Sequence, residues 1–179
     1  MLKKILLGLV AVLVVLAAVI AMQPADFAIT RSTTIDAPPA TVFGQVNDFH
    51  KWEAWSPWAK MDPEMKTTYE GPAAGTGAMY SWVGDSKVGE GKMTIVESRP
   101  DELVKIRLEF LKPFAATNDT EFAFKPDGTG THVTWTMSGK NGFVSKAFSL
   151  CMDMDKMVGG DFEKGLAQMK SASEAAVVK

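Results

Sequence analysis

Apolar and polar residues alternate along this chain in three distinct regimes. Residues 5–22 contain no charge and no strongly polar group. At about 1.5 Å per helical residue they cover roughly 27 Å, close to the hydrocarbon thickness of a bilayer. From Phe27 the period shortens to two, and Phe27, Ile29 and Ile35 share one face of a first strand. Asp36-Ala37-Pro38-Pro39 then opens a short helix over residues 39–47, with Pro39 in the first turn, where a missing N–H costs nothing. A second short helical segment begins at Asp48-Phe49, runs to about Ala54 and is ended by Pro57. Six strands follow, at 66–70, 78–83, 88–98, 103–110, 120–125 and 131–138. Between them stand turn-forming groups such as Gly71-Pro72, Arg99-Pro100-Asp101 and Pro126-Asp127-Gly128. Short turns between successive strands predict an antiparallel meander. Past Phe143 the period becomes helical. Ala147, Cys151, Met154, Val158, Phe162, Leu166 and Met169 form one stripe on a single predicted helix of about thirty residues.

These elements predict an α+β fold of two layers, a curved antiparallel sheet with one long helix across it, behind an N-terminal transmembrane helix. The chain divides into residues 1–4, an anchor at 5–22, a linker at 23–26, a folded domain at 27–172 and a tail at 173–179. Lys3 and Lys4 precede the apolar run and no further basic residue comes before Arg31. The positive-inside rule therefore places the N-terminus in the cytoplasm and the domain outside, periplasmic or extracellular. A cleaved signal peptide is the competing reading. Its apolar region is normally shorter, about 7 to 15 residues, and Val19-Ile20-Ala21 makes a poor cleavage site. Either way the domain is expected to be exported.

Charge and cysteine content narrow the chemistry. Removing Lys3 and Lys4 from the 19 basic residues leaves 17 against 21 acidic ones, a net of about −4 for the exported part. That balance argues against nucleic acid as a partner. A lone cysteine, Cys151, excludes an internal disulfide and a cysteine-based zinc site, and its place on the apolar stripe predicts a buried thiol. His50 and His132 lie in different elements without metal-ligand spacing, so neither a metal nor a cofactor is expected. Lys105, Arg107 and Glu109 read as a solvated ladder on an outer face. Gly75-x-Gly77-x-x-Tyr80 leads into a strand rather than a helix, which rules out a dinucleotide loop. Asn118-Asp119-Thr120 matches a glycosylation sequon and reads as chance. Of the aromatic series Phe49, Trp52, Trp55 and Trp58, the middle two are expected in the core, and Trp58 in a loop where it can meet a ligand or membrane.

Several phrases, in order, resemble the START-related helix-grip superfamily (SRPBCC), in particular its polyketide cyclase/dehydrase-like branch. They are Ile35-Asp36-Ala37-Pro38 with Val42-Phe43, and Asp48-Phe49-x-x-Trp52-x-x-Trp55-Ser56-Pro57-Trp58. Further along come Gly75-x-Gly77-x-x-Tyr80-x-Trp82, Gly89-x-Gly91-x-Met93-x-Ile95, and Met154-Asp155-Lys156-Met157 with Phe162-Glu163-Lys164-Gly165-Leu166. The resemblance implies a helix-grip fold with an apolar cavity between sheet and C-terminal helix, holding a lipid or polyketide-like molecule. Residues expected to line it are Trp58, Tyr80, Trp82, Phe110, Trp135, Met154 and Met157. The expected role is non-enzymatic binding. A cyclase or dehydratase acting on an apolar substrate in the same cavity is the alternative, with no catalytic residue singled out. Oligomeric state is left open.

Overall fold

A computed structural model of the chain describes residues 2–150 and 152–177. Helix α1 (Leu2–Met22) leads to strand β1 (Asp26–Ile35), helix α2 (Pro39–Asn47), a 3-10 turn (Phe49–Lys51) and the one-turn helix α3 (Trp52–Trp55). Strands β2 (Lys66–Glu70), β3 (Met79–Val83), β4 (Glu90–Arg99), β5 (Leu103–Lys112), β6 (Ala116–Asp127) and β7 (Gly130–Lys140) follow. Helices α4 (Phe143–Ser149) and α5 (Met154–Val177) complete the chain. The α+β class and the order of strand, short helices, six strands and terminal helix are as the pattern predicts.

All seven strands form one antiparallel sheet in the order β1-β7-β6-β5-β4-β3-β2. Strands β2 to β7 are the expected meander, and β1 closes onto β7 from Asp26↔Lys140 to Ile35↔Thr131. Only Gly128 and Thr129 separate β6 from β7, and Gly128 takes φ +61°, the left-handed conformation that a two-residue hairpin turn requires. Two register shifts between β4 and β5 are bulges, one with Leu111 of β5 as the extra residue and one with Val96 of β4, and they bend the strands and sharpen the sheet's curvature. Side chains sort by alternation. Val104 and Ile106 are buried on the inner face, while Lys105 pairs with Glu97 at 3.0 Å and Glu109 with Lys92 at 3.3 Å on the outer one.

Helix α5 lies across the concave face, packed on β1 and against α2 and α3. Its seat is aromatic. Trp135 of β7 stacks on Phe162 of α5 with centroids 4.0 Å apart and planes within 6°, and on Phe122 of β6 at 4.7 Å. Gly165 lets the helix backbone come this close, since a Cβ there would sit 2.9 Å from the Trp135 ring and 3.1 Å from Pro57. Gly159 serves close packing too, because a Cβ would strike the Arg31 guanidinium. Arg31 points inward from β1 and ties down the start of α5, donating to Glu163 Oε1 at 2.8 Å and to Asp155 Oδ2 at 3.0 Å. The guanidinium holds the Asp155 carboxyl below its ordinary range, mainly through this hydrogen bond. Trp52 and Trp55 are buried, as expected, and their indole N–H groups donate to the Val46 and Gln45 carbonyls, each at 3.0 Å.

The terminal helix departs from expectation. Where the stripe predicts one helix, the chain forms two, interrupted after Ser149. Asp153 starts the second: its carboxylate accepts the Lys156 N–H at 3.0 Å, the bond of an N-cap. Residues before the break therefore share no helical phase with those after it. Phe162, Leu166 and Met169 are buried and Val158 half-buried, as spaced, but Met154 and Met157 are 40 % and 47 % exposed. Helix α5 also continues to Val177, through most of the stretch read as a tail. Cys151, expected to be buried, lies outside the described residues.

Candidate functional site

Strand pairing lays three rows of side chains across the concave face. The innermost runs Ile95–Ile106–Thr120–Met137–Ile29, and every member is buried. The next runs Tyr80–Met93–Leu108–Asn118. Here Tyr80, Met93 and Leu108 are only half-buried, packed on the edge of the core, while Asn118 is buried. The third runs Trp82–Gly91–Phe110–Ala116 and ends at an exposed alanine. Burial is thus complete in the first row and partial in the second and third, where Asn118, Trp82 and Gly91 are buried and the other members are half-buried or exposed. Where α5 crosses the sheet, Trp55, Trp135, Phe122 and Phe162 fill the interior, and the expected cavity between helix and sheet is occupied by those rings.

The expected site residues fall into three groups. Tyr80, Trp82 and Phe110 come together: Trp82 stacks on Tyr80 and meets the edge of Phe110, both with centroids 6.0 Å apart. Trp82 is fixed. Its N–H donates to the Val88 carbonyl at 3.0 Å, and its ring covers Gly91, where a Cβ would lie 2.5 Å from the ring carbons. Trp58 and Trp135 form the second group, in edge contact at 5.9 Å beside Phe162. Among the described residues Trp135 Nε1 is a buried donor without an acceptor. Met154 and Met157 stand apart on the exposed first turn of α5.

Polar groups on the open rows are few. Burial pushes the Tyr80 phenol up to about 12, with smaller contributions from Tyr69 and Glu53, so it remains a hydrogen-bond donor at physiological pH. Asn118 and Thr120, both buried, share the inner face of β6 with Phe122 and Phe124. Among the described residues the Asn118 amide has one weak contact, 3.9 Å to Met137 Sδ. Sequence reasoning missed these two, although their alternation with Phe122 and Phe124 carried the signal. Tyr80 and Asn118 are three strands apart, roughly 14 Å at the usual strand spacing. They can contact the two ends of one elongated molecule but not the same reacting atom.

Two surface hollows lie elsewhere. One of about 240 Å³ is lined by Phe49, His50, Tyr69, Ala78 and Met79 and by the Gly71-Pro72 turn. In it His50 stacks on Tyr69 at 4.1 Å and bonds Asp48 Oδ1 at 2.9 Å. A wider one of about 530 Å³ borders Gln45, His50, Glu53 and Lys60. Neither includes any of the seven expected residues. Among the described residues no three His, Cys, Asp or Glu side chains gather in a way that could hold a metal.

The sequence profile of a family described as polyketide cyclase / dehydrase and lipid transport matches residues 26–174. No curated protein matches the chain in sequence. Solved structures share its shape at low identity. A Staphylococcus aureus protein of unknown function superposes with TM-score 0.63 at 15 % identity, covering 88 % of this chain and 99 % of its own. A Chromobacterium violaceum protein gives 0.60 at 14 %, covering 82 % and 96 %. The Aha1 dimer of Colwellia psychrerythraea gives 0.52 at 14 %, covering 76 % and 90 %. Likeness at this identity speaks for the helix-grip fold alone.

Proposed function

The chain belongs to the polyketide cyclase / dehydrase and lipid transport family, and on that footing we propose that it is a membrane-tethered, exported domain that binds a hydrophobic small molecule, a lipid or polyketide-like compound. The site is the open part of the concave face, beside α5 rather than beneath it. One observation carries this reading: Tyr80, Met93 and Leu108 form a half-buried apolar row, with polar groups at its two ends and no charge within it. Ligand sites are typically apolar with a few polar groups that orient the occupant. The rows accept an elongated, mostly apolar molecule, its polar ends at the Tyr80 phenol and the Asn118 amide. Tethering supports the same role, because a hydrophobic ligand partitions into the bilayer and meets the domain there at high local concentration. Support for the tether is α1 itself, long and apolar enough to cross a membrane and hardly buried by the rest of the chain.

Fluorescent fatty-acid or polyaromatic probes test this reading. The full chain should bind them, and unlabelled lipid should compete. Leu108→Glu places a charge in the middle of the open row and should abolish binding while circular dichroism stays unchanged. A folded wild type that binds none of the probes contradicts the reading. Tyr80 favours a second one, a cyclase or dehydratase, since a protonated phenol can polarise a substrate carbonyl. Against it, no carboxylate or imidazole stands in the three rows beside Tyr80. Loss of product formation in Tyr80→Phe with unchanged probe binding would establish the enzyme.

A further inference from the structure

We infer that α4 and the turn joining β5 to β6 lie in the interfacial layer of the same bilayer that holds α1, so that the open end of the concave face meets lipid directly. The inference rests on the tether proposed above. No described residue of α4 is buried. Phe143, Val144 and Phe148 stand in the open, and Phe148 meets Phe114 of the β5–β6 turn at 6.4 Å, itself 61 % exposed. Segments distant in sequence thus build one apolar surface, of the kind that marks an interaction site.

The position of this surface identifies its occupant. Helix α4 packs on the C-terminal end of α1, where Ile20 is buried, alone among the described residues of that helix. Lys146 of α4 donates from Nζ to the Ala21 carbonyl at 3.2 Å, which places a cation at the negative end of the α1 dipole. The Asn141 N–H bonds the Ala25 carbonyl at 2.6 Å, which pins the linker to the start of α4. The apolar flank of α1 therefore continues without a gap onto α4, and lipid that surrounds Ala21 and Met22 also meets α4. An exposed apolar surface beside a lysine, at the level where a spanning helix leaves the hydrocarbon, suits the headgroup boundary. The last pair before the β5–β6 turn is Phe110↔Ala116, so the half-buried to exposed end of the third row lies next to the membrane. A ligand leaving the bilayer would pass Phe114 and Phe110 before reaching Leu108, with no exposure to bulk water.

Spin labels on the full chain in phosphatidylcholine nanodiscs test this. In a Cys151→Ser background (Cys151→Ala if the serine does not fold), single cysteines replace Val144, Phe114, Leu13 and Ser86, all at exposed positions. Labels at 144 and 114 should relax several-fold more with oxygen than with a water-soluble nickel complex, as at 13, with the reverse at 86 in the β3–β4 turn. Labels at 144 and 114 that behave like the one at 86, while 13 reads hydrocarbon, overturn the docking and leave the tether standing. A label at 13 that reads water overturns the tether, and the docking with it. Dipolar coupling between copies at 144, with neither reagent reaching it, would mean that a second copy of the chain covers this face, and would also overturn the inference.

Discussion

Phe162 concentrates the packing of the domain in one side chain. It is 1 % exposed and stacked on Trp135, and it joins the helix layer to the sheet layer. Phe162→Ala should lower the unfolding free energy by about 3 to 5 kcal/mol in denaturant titration. A second residue-scale test concerns Tyr80, whose pKa is pushed to about 12 by burial. Below the ordinary phenol value of 10.0, both folded and unfolded chains hold the proton and pH has no effect through this group. Between that value and about 12 the unfolded chain releases the proton while the folded one retains it, so stability falls as pH rises. Phenolate absorbance of the folded chain should show one tyrosine ionising near 12, and Tyr80→Phe should remove both that step and its share of the alkaline loss.

At the scale of the element, α5 contains glycines that look alike in sequence and do different work. A Cβ at Gly160 meets nothing within 4 Å, whereas one at Gly165 presses on the Trp135 ring and Pro57. Gly160→Ala should therefore stabilise the protein by about 1 kcal/mol, the helix-propensity gain alone. Gly165→Ala receives the same gain but incurs about 1 to 3 kcal/mol of overpacking, and should be neutral to destabilising. Melting temperatures of the two variants, moving apart, check the seating of the helix. The break before α5 was written in the sequence as well: Asp153 is a good N-cap residue. It was hidden because an apolar spacing of three and four happens to continue through Cys151 and Met154. Arg31 was concealed differently. On β1 it occupies the same face as Ile29 and Ile35, and its partners Asp155 and Glu163 lie more than a hundred residues away, so no local pattern reports the clamp.

Taken whole, the molecule was legible in its architecture and much less so in its site. Alternation gave the strands and their buried faces, because a one-residue slip would have turned Val104 and Ile106 to water. Whether inward side chains fill an interior or line an opening depends on where the terminal helix lies across the sheet. That is set by contacts such as Trp135–Phe162 and by the room at Gly165, which periodicity does not encode. For the same reason Met154 and Met157 were expected at the site, while Asn118 and Thr120 read only as parts of a chance sequon. The tether belongs to this scale too. Alkaline carbonate should leave the full chain in the membrane, and protease added outside the cytoplasmic membrane should digest the domain. Release of a shortened soluble form would instead mark residues 5–22 as a cleaved signal.

Native mass spectrometry of the full chain, extracted in mild detergent, tests the central claim most directly, because it asks what the concave face holds when the protein is isolated. The expected spectrum contains a bound species with the mass of an apolar, elongated molecule, present in the wild type and absent from folded Leu108→Glu. A wild type that is wholly unliganded, and that stays so after incubation with lipid extract, would contradict the binding function.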